Sequence, residues 1–236
     1  MIKQIIHKLK KIVSGKTKGN ALDDFIHKLK PEIIQFNTVL DVGAYHGNFV
    51  SQVLSINSQL AVHVFEPFQE SFDIIQGKFS RRPNVHLNHA AVSDTTGKAS
   101  LNINSFKETN SLLESSAVNA AIDSLTQMQS LESVDVIGLD EYCIQKNITF
   151  IDLVKIDTQG NSFNVLKGLE NMLLAKKVKY LYVEAEFVEI YRNEKLFSEI
   201  ELLMRSYGYS IIELYNLNYI DTKKLGWCDV LFSPKN

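Results

Sequence analysis

The segment 38–47, Thr-Val-Leu-Asp-Val-Gly-Ala-Tyr-His-Gly, holds the first residues whose types and spacing could do chemistry. Apolar and β-branched residues lead into Asp41, and Gly43 and Gly47 then open an amphipathic stretch. This is the pattern of a buried parallel strand that turns tightly into a helix. The sequence therefore predicts that the turn binds a cofactor.

Charge indicates which cofactor this turn holds. A dinucleotide fingerprint uses three glycines so that backbone amides can close on a pyrophosphate, but only Gly43 and Gly47 are present here. Asp41, expected at the mouth of the loop, would repel phosphate and attract a cation. S-adenosylmethionine carries an ammonium and a sulfonium and no phosphate. The pattern thus favours S-adenosylmethionine over a nicotinamide dinucleotide.

A second acidic residue follows where an adenosine cofactor needs one. The apolar run 61–65 ends in Glu66 and Pro67, about 25 residues after Asp41, close to the spacing at which a β-α-β unit offers a carboxylate to ribose hydroxyls. Pro67 then ends the strand. Either carboxylate alone could be a loop cap or a solvated strand end, but the two motifs together favour adenosine binding.

Two further carboxylates end predicted strands in the second half of the chain. The run 150–157 is a buried strand that ends in Asp157 and leads through Thr-Gln-Gly into a helix. Because the strand order of a doubly wound sheet reverses between this strand and the first, Asp157 should emerge beside Asp41. Another strand ends in Glu184. Acid/base chemistry at this edge of the sheet is therefore expected.

The elements that must position these residues form an α/β pattern. Predicted helices cover 21–36, 70–79, 139–146, 162–175 and 193–207. Further predicted strands cover 85–89, 99–103, 134–137, 180–184, 209–215 and 227–232, the last two as an antiparallel hairpin with a long connection. A turn at 93–98 predicts another hairpin with 99–103. The segment 105–133 exceeds ordinary connections and is predicted to be a mobile lid or a disordered insertion over the acceptor pocket.

Composition bounds the class of protein. With 236 residues, 45% hydrophobic content and a net charge of −2, the chain suits one α/β domain and lacks the basic surface of a nucleic-acid binder. We expect a helical segment at 1–36 and a single domain at 37–236. Residues 1–20 carry six lysines and no acidic residue, which predicts a basic amphipathic helix that docks on the domain or touches an anionic membrane surface. No transmembrane helix or signal peptide is expected, so the expected compartment is the cytoplasm.

Metal and disulfide chemistry are not expected. Cys143 and Cys228 lie far apart and form no Cys-x-x-Cys pattern. His86 and His89 are three residues apart on a predicted strand, so their rings face opposite sides of the sheet and cannot both bind one ion without a bulge. The oligomeric state stays open.

Taken in order, these motifs resemble those of the FkbM-type methyltransferases, S-adenosylmethionine-dependent enzymes with a Rossmann-like fold. The matching segments are Leu-Asp-Val-Gly-Ala-x-x-Gly at 40–47, Phe-Glu-Pro at 65–67, Ala-Ala-Val-Ser-Asp at 90–94, Gly-Leu-Asp-Glu-Tyr at 138–142, Ile-Asp-Leu-Val-Lys-Ile-Asp at 151–157 and Val-Leu-Lys-Gly at 165–168. The shared order is more specific than any single motif. The resemblance implies a class I methyltransferase fold: a seven-stranded, mostly parallel sheet with an antiparallel C-terminal hairpin and helices on both faces.

The resemblance also implies O-methylation of a hydroxyl on a sugar, a polysaccharide unit or a secondary metabolite. The glycine turn would hold the methionine end of the cofactor, Glu66 the ribose, and residues 91–92 the adenine, while Asp157 would stand where cofactor and acceptor meet. The predicted cofactor-binding residues are Asp41, Gly43, Ala44, Tyr45, Gly47, Glu66, Pro67, Ala91, Val92 and Asp157.

The chain departs from the family pattern at two places. Tyr45 and His46 stand where family members usually have asparagine and an aliphatic residue. Gln159 and Ser162 replace the glutamates of an Asp-x-Glu-Gly-x-Glu run, which removes two carboxylates from the acceptor side. An altered acceptor or a reduced activity follows as a hypothesis.

Methyl transfer to a hydroxyl needs alignment of the reacting atoms and benefits from a general base. The predicted catalytic residues are Asp157, Glu184 and His46, the last because histidine is the side-chain type best suited to proton transfer near neutral pH. Two alternatives to an O-methyltransferase stay open: a non-catalytic protein that binds S-adenosylmethionine, and a nicotinamide-dependent oxidoreductase.

Overall fold

The protein has the predicted α/β fold, with a parallel sheet covered by helices on both faces. The structure is a computed structural model that describes residues 21–118, 120–221 and 223–235. Its strands are β1 (Thr38–Val42), β2 (Ala61–Phe65), β3 (Val85–Asn88), β4 (Ala91–Ser93), β5 (Gly97–Asn104), β6 (Met128–Gly138), β7 (Ile151–Ile156), β8 (Val178–Glu186), β9 (Tyr209–Tyr219) and β10 (Leu225–Pro234). Its helices are α1 (Ala21–Ile33), α2 (Asn48–Ile56), α3 (Gln69–Phe79), α4 (Ala120–Leu125), α5 (Leu139–Gln145), α6 (Ser162–Lys167), α7 (Glu170–Leu174) and α8 (Phe197–Ser206), with a 3-10 turn at Lys107–Thr109.

The main sheet has its reversal of strand order between β1 and β7. Over the described residues it contains seven strands in the order β3-β2-β1-β7-β8-β10-β9. The first five are parallel, and β10 runs antiparallel to both β8 and β9. Since the chain leaves β1 toward one edge and β7 toward the other, their carboxyl ends flank a crevice, which is where open α/β sheets bind ligands.

The core lies on both faces of this sheet because successive residues of a strand point to opposite sides. Val39 packs in one buried cluster with Phe25 of α1, whereas its neighbour Leu40 packs in a second cluster with Leu139 of α5. Asp41 follows Leu40 and shares the face of Val39. A carboxylate therefore enters the interior simply because the strand alternates.

A second, three-stranded sheet corrects two predictions. The expected hairpin between 93–98 and 99–103 is wrong, because β4 and β5 lie on opposite sides of β6 and do not pair with each other. Strand β6 begins at Met128, so the last part of the expected insertion at 105–133 is ordered strand. Residues 128–133 show no apolar alternation, and main-chain pairing with β5 holds them in the sheet.

Three smaller boundaries also differ from the sequence prediction. The helix expected at 162–175 is divided into α6 and α7 at Gly168, where a Cβ would lie 2.1 Å from the carbonyl oxygen of Ser93. The helix expected from 193 begins at Phe197, and Glu199 accepts a hydrogen bond from the backbone N–H of Leu196. Only residues 220–224 separate β9 from β10, so the long connection expected there is absent from the described chain.

The predicted basic helix at 1–20 lies outside the described residues. Within the described part of the chain, no helix combines the length and apolar character needed to cross a bilayer.

Candidate functional site

A cavity of about 310 Å³ lies at the carboxyl ends of β1, β2 and β7. Its walls come from the turns after these strands, from residues 90–92 and from the segment 107–112. It thus sits at the crevice that the reversal of strand order creates. The segment 107–112 belongs to the predicted insertion and contributes one wall.

The turn after β1 is built on glycine. Gly43 has φ +74°, and a Cβ there would lie 1.8 Å from the carbonyl oxygen of Asp157. Gly47 has φ +71°, and a Cβ there would lie 2.7 Å from Phe79. A side chain at position 43 would collide with backbone, which cannot move aside cheaply. The glycine therefore lets the turns after β1 and β7 touch.

The predicted residues of this turn do not all reach the cavity. Gly43 and Tyr45 line it, whereas Ala44, His46 and Gly47 do not. Tyr45 has φ +47°, and its ring stacks on that of His46 with centroids 3.7 Å apart. The carbonyl oxygen of His46 accepts a hydrogen bond from Lys78 at 2.6 Å. His46 is thus packed along the outside of the turn.

Glu66 clamps the same turn from β2. Its Oε2 accepts a hydrogen bond from the backbone N–H of Tyr45 at 2.8 Å, and its Oε1 accepts one from Phe68 at 2.9 Å. Glu66 lines the cavity although only 6% of it is exposed. Burial raises the pKa of Glu66 to about 7, although the hydrogen bonds from the two N–H groups lower it. Pro67 lines the cavity beside it.

Asp41 lies elsewhere than predicted. Its side chain is fully buried and outside the cavity lining, so the expectation that it stands at the mouth of the loop is wrong. Burial raises its pKa, and the charge of Lys155 opposes that rise. The residue lies one position before the end of β1 and therefore points into the sheet face, not into the crevice.

Lys155 is the site residue that the sequence analysis missed. It pairs directly with Asp41 across β1 and β7, so both side chains leave the sheet on one face. Its Nζ lies 3.5 Å from Asp41 Oδ1 and 3.3 Å from Asp157 Oδ2, and donates to the carbonyl oxygen of Gly43 at 2.9 Å. The predicted neighbours Asp41 and Asp157 thus meet through one cation.

The charge of Lys155 is secured by its neighbours. Burial disfavours the ammonium, but Asp157 and Asp41 outweigh that cost, so the pKa of Lys155 lies above its ordinary value. A lysine inside a strand whose residues are all buried needs such partners. A lysine within an otherwise apolar strand was therefore the signal in the sequence that could have identified Lys155.

Asp157 and Glu184 come together at the cavity wall. The side chain of Asp157 is 41% exposed, and both residues line the cavity. Nε2 of Gln159 donates to Asp157 Oδ1 at 3.0 Å and to Glu184 Oε2 at 2.8 Å. Gln159, noted in the sequence as a departure, is thus a bridge between two predicted catalytic residues.

The two carboxyls differ in protonation. Burial opposes the charge of Asp157, but Lys155 and the Gln159 amide hold its pKa below the ordinary value. Burial and the charge of Asp157 raise the pKa of Glu184 well above its ordinary value. Asp157 is therefore the more acidic of the two carboxyls, and Glu184 is the one that keeps its proton to the higher pH.

Further buried carboxyls lie behind Glu184. Burial raises the pKa of Asp229 on β10 to about 7, and its Oδ2 accepts a hydrogen bond from Tyr182 at 2.9 Å. Burial also raises the pKa of Glu186 well above its ordinary value and that of Glu194 to about 7. When these three carboxyls are protonated, they add no negative charge near Glu184.

The far end of the cavity is small and apolar. Ala91 and Val92 line it as predicted, together with Ala90 and Phe65. The carbonyl oxygen of Val92 accepts a hydrogen bond from the Asn161 side chain at 3.0 Å.

Metal ligation finds no support in the described residues. Among residues 21–118, 120–221 and 223–235, no three His, Cys, Asp or Glu side chains are grouped to hold a metal ion. His86 stacks on His63, while Nε2 of His89 lies 2.9 Å from the carbonyl oxygen of Pro67.

Known proteins resemble this chain over most of its length. A curated relative, the 2-O-methyltransferase NoeI of Sinorhizobium fredii, is 22% identical over 162 residues, which cover 66% of this chain and 66% of that protein. The match thus spans just under two thirds of the relative.

Two solved structures are similar to this chain. An rRNA methylase from Streptococcus thermophilus has a TM-score of 0.50 with 11% identity, covering 93% of this chain and all of that one. An S-adenosylmethionine-dependent methyltransferase from Clostridium acetobutylicum has a TM-score of 0.49 with 11% identity, covering 100% and 99%. At this identity, the first of them supports the fold alone.

The family model of the FkbM methyltransferase domain matches residues 41–211. This range runs from the end of β1 to the start of β9, includes all the residues that line the cavity, and is well over half of the chain. The protein therefore belongs to the FkbM family of methyltransferases, and S-adenosylmethionine, the methyl donor of that family, is its cofactor.

Proposed function

We propose that the protein is an O-methyltransferase that holds S-adenosylmethionine in the cavity after β1, β2 and β7 and methylates a hydroxyl of a carbohydrate or another small molecule. The observation that carries this proposal is the pair of carboxyls, Asp157 and Glu184, on the cavity wall. The name of the relative NoeI, a 2-O-methyltransferase, supports a hydroxyl acceptor.

The cavity residues fit the cofactor. The volume of about 310 Å³ lies in the range of small-molecule pockets. The lining side chains of Asn110 and Thr158 have buried polar atoms, Nδ2 and Oγ1, without a hydrogen-bond partner among the described residues. Such atoms cost free energy unless a ligand satisfies them. We assign the small apolar end at 90–92 to the adenine and Glu66 to the ribose.

Protonation assigns roles to the two carboxyls. S-adenosylmethionine supplies an electrophilic methyl group on a sulfonium. Asp157, ionised and exposed to the cavity, accepts the proton of the acceptor hydroxyl as general base. Glu184, whose pKa is raised by burial and by the charge of Asp157, holds its own proton more tightly and is the less suitable base. His46, the third predicted base, lies outside the lining and takes no part.

The acceptor is proposed to be small. A net charge of −2 and the carboxyls at the cavity do not suit a polyanion such as RNA. A cytoplasmic location is also proposed, and the two cysteines, which are free and buried, are compatible with it.

The first experiment is calorimetry with S-adenosylhomocysteine, followed by methyl release with a panel of hydroxylated acceptors. Asp157→Asn should lower turnover by about a hundredfold to ten-thousandfold, the contribution of a general base, while the affinity for S-adenosylhomocysteine stays close to that of the wild type. Glu184→Gln is the matched control, since an amide resembles the protonated carboxyl and should retain most of the turnover.

Three outcomes would contradict the proposal in different ways. Cofactor binding with background methyl release across all acceptors favours a non-catalytic binding protein. A larger loss in His46→Ala than in Asp157→Asn would move the base to His46. Absence of S-adenosylhomocysteine binding would overturn the site itself.

A further inference from the structure

Gln159 stands between the two carboxyls of the cavity wall. Its Nε2 lies 3.0 Å from Asp157 Oδ1 and 2.8 Å from Glu184 Oε2. A carboxamide nitrogen carries two N–H groups, so one side chain can donate to both carboxyls at once. The bridge joins the turn after β7 to the neighbouring strand β8.

Partners at both ends of this amide favour one orientation. Oε1 of Gln159 lies 3.1 Å from the hydroxyl of Tyr191, a tyrosine that is 1% exposed. The single hydrogen of this hydroxyl can go to the amide oxygen or to the carbonyl oxygen of Thr109, and at the opposite end of the amide two carboxyl oxygens accept from its nitrogen. The nitrogen therefore faces the carboxyls.

The backbone of Gln159 is also fixed. Its φ is +52°, and its carbonyl oxygen accepts a hydrogen bond from Ser111 Oγ at 2.6 Å. The Tyr191 hydroxyl also lies 3.1 Å from the carbonyl oxygen of Thr109. Gln159 thus connects the turn after β7 with the residues that follow the 3-10 turn and, through Tyr191, with the loop that follows β8.

The pair needs such a bridge because of the charges around it. Ionisation of one carboxyl disfavours ionisation of its neighbour, because the second negative charge is repelled by the first. The ionisable groups around them are Asp41 from β1, Lys155 from β7, Tyr182 and Glu186 from β8, Cys228 and Asp229 from β10, Tyr191 and Glu194 from the loop after β8, and Lys107 and Glu108 on the facing cavity wall. Of the two lysines, Lys155 contacts Asp157, with its Nζ 3.3 Å from Asp157 Oδ2.

We propose that Gln159 is a positioning residue, oriented by Tyr191, that holds Asp157 and Glu184 as one ionised and one protonated carboxyl. Its part in catalysis rests on the function proposed above, because Gln159 acts through Asp157 and forms no bond to the acceptor. A third carboxyl in its place would remove both N–H donors and add a competing acid.

Gln159→Glu tests this with an isosteric change. Side-chain carboxyls are followed by ¹³C NMR titration, with Asp157→Asn and Glu184→Gln to assign the signals. The apparent midpoint of the ionised carboxyl at the cavity should rise by about 1 to 3 pH units, the range caused by close charges. In the active enzyme, the acid limb of the kcat profile should move by the same amount while KM for the cofactor stays unchanged.

Gln69→Glu is the matched control. Gln69 on α3 also donates to a carboxylate, Asp73, at 2.7 Å, but both residues are exposed and neither lines the cavity. The cavity midpoints should stay at their wild-type values in this variant. Thermal unfolding of each variant shows whether it folds.

Tyr191→Phe keeps the proposal testable if Gln159→Glu does not fold. It frees the amide to rotate, so the cavity midpoint should rise in the same direction by a smaller amount. Wild-type midpoints in the folded variants would overturn the proposal. The titration requires neither cofactor nor acceptor, so failure of the proposed function, seen as missing cofactor binding by the wild type, is a separate result.

Discussion

The two turns that meet at the crevice have similar backbone conformations, but their acidic side chains lie in different environments. The turn after β1 has positive φ at Gly43, Tyr45 and Gly47, and the turn after β7 has it at Gln159 and Gly160. The first turn presents backbone and keeps its acid, Asp41, buried beside Lys155. The second turn exposes Asp157 and Gln159 to the cavity. The first turn is thus suited to hold a ligand, and the second to act on one.

Lys155 joins the two turns, and its removal should have the largest effect on stability. Lys155→Met leaves Asp41 buried without a cation, which should lower the free energy of unfolding by about 3 to 5 kcal/mol at pH 8. The loss should be smaller at pH 5, since Asp41 can then take up a proton. Urea unfolding at both pH values measures this.

An exposed ion pair provides the comparison for Lys155→Met. Lys98 and Asp135 lie 2.7 Å apart with more than 60% of each side chain exposed. Lys98→Met should change the free energy of unfolding by less than about 1 kcal/mol. Equal losses in the two variants would show that the buried cation has no special role.

Gly43→Ala should distort the turn after β1 and leaves the residues of the turn after β7 unchanged. Its Cβ would meet the carbonyl oxygen of Asp157 at a backbone conformation that alanine avoids, at a cost of about 1 to 3 kcal/mol. The turns would separate, and the affinity for S-adenosylhomocysteine should fall at least about tenfold, since 1.4 kcal/mol corresponds to a factor of ten. Calorimetry and thermal unfolding measure both effects.

Gly77→Ala is the control for this glycine. Gly77 lies on the exposed side of α3, and a Cβ there would meet no atom within 4 Å. Since glycine weakens a helix interior, the change should stabilise the protein by about 0.5 to 1 kcal/mol. A Gly43→Ala variant that behaves like Gly77→Ala would contradict the close contact between the turns.

Glu66, which bonds to the turn after β1, should make the free energy of unfolding depend on pH. The pKa of Glu66 is about 7 in the folded protein, above the ordinary value of 4.5. The folded state thus holds a proton that the unfolded state releases, so this stabilisation is complete below pH 4.5 and is lost as pH rises through 7. The total contribution is on the order of 3 kcal/mol.

Glu66→Gln should flatten the decline of unfolding free energy between pH 5 and pH 8. Glu194 and Asp229, whose pKa values are also raised to about 7, continue to contribute in the same direction. A slope unchanged from that of the wild type would show that Glu66 is not protonated in the folded protein.

Much of the fold could be predicted because its signals are local. The glycine turn at Gly43, the strand end at Glu66 and the buried run before Asp157 each reflect short-range sterics or periodicity. The second sheet could not be predicted, because β6 is held by pairing with a strand that begins about 30 residues earlier in the chain, and residues 128–133 carry no alternation that reveals it.

The sequence by itself determined the strand-to-helix turns, the order of the motifs and hence the family, since these depend on residue type and spacing along the chain. Only the tertiary structure decided that Asp41 is buried, that Lys155 links it to Asp157, and that Gln159 joins Asp157 to Glu184. The physical reason is that the charge of a carboxyl depends on burial and on neighbours from other strands, and these neighbours are set by the register of β1, β7 and β8.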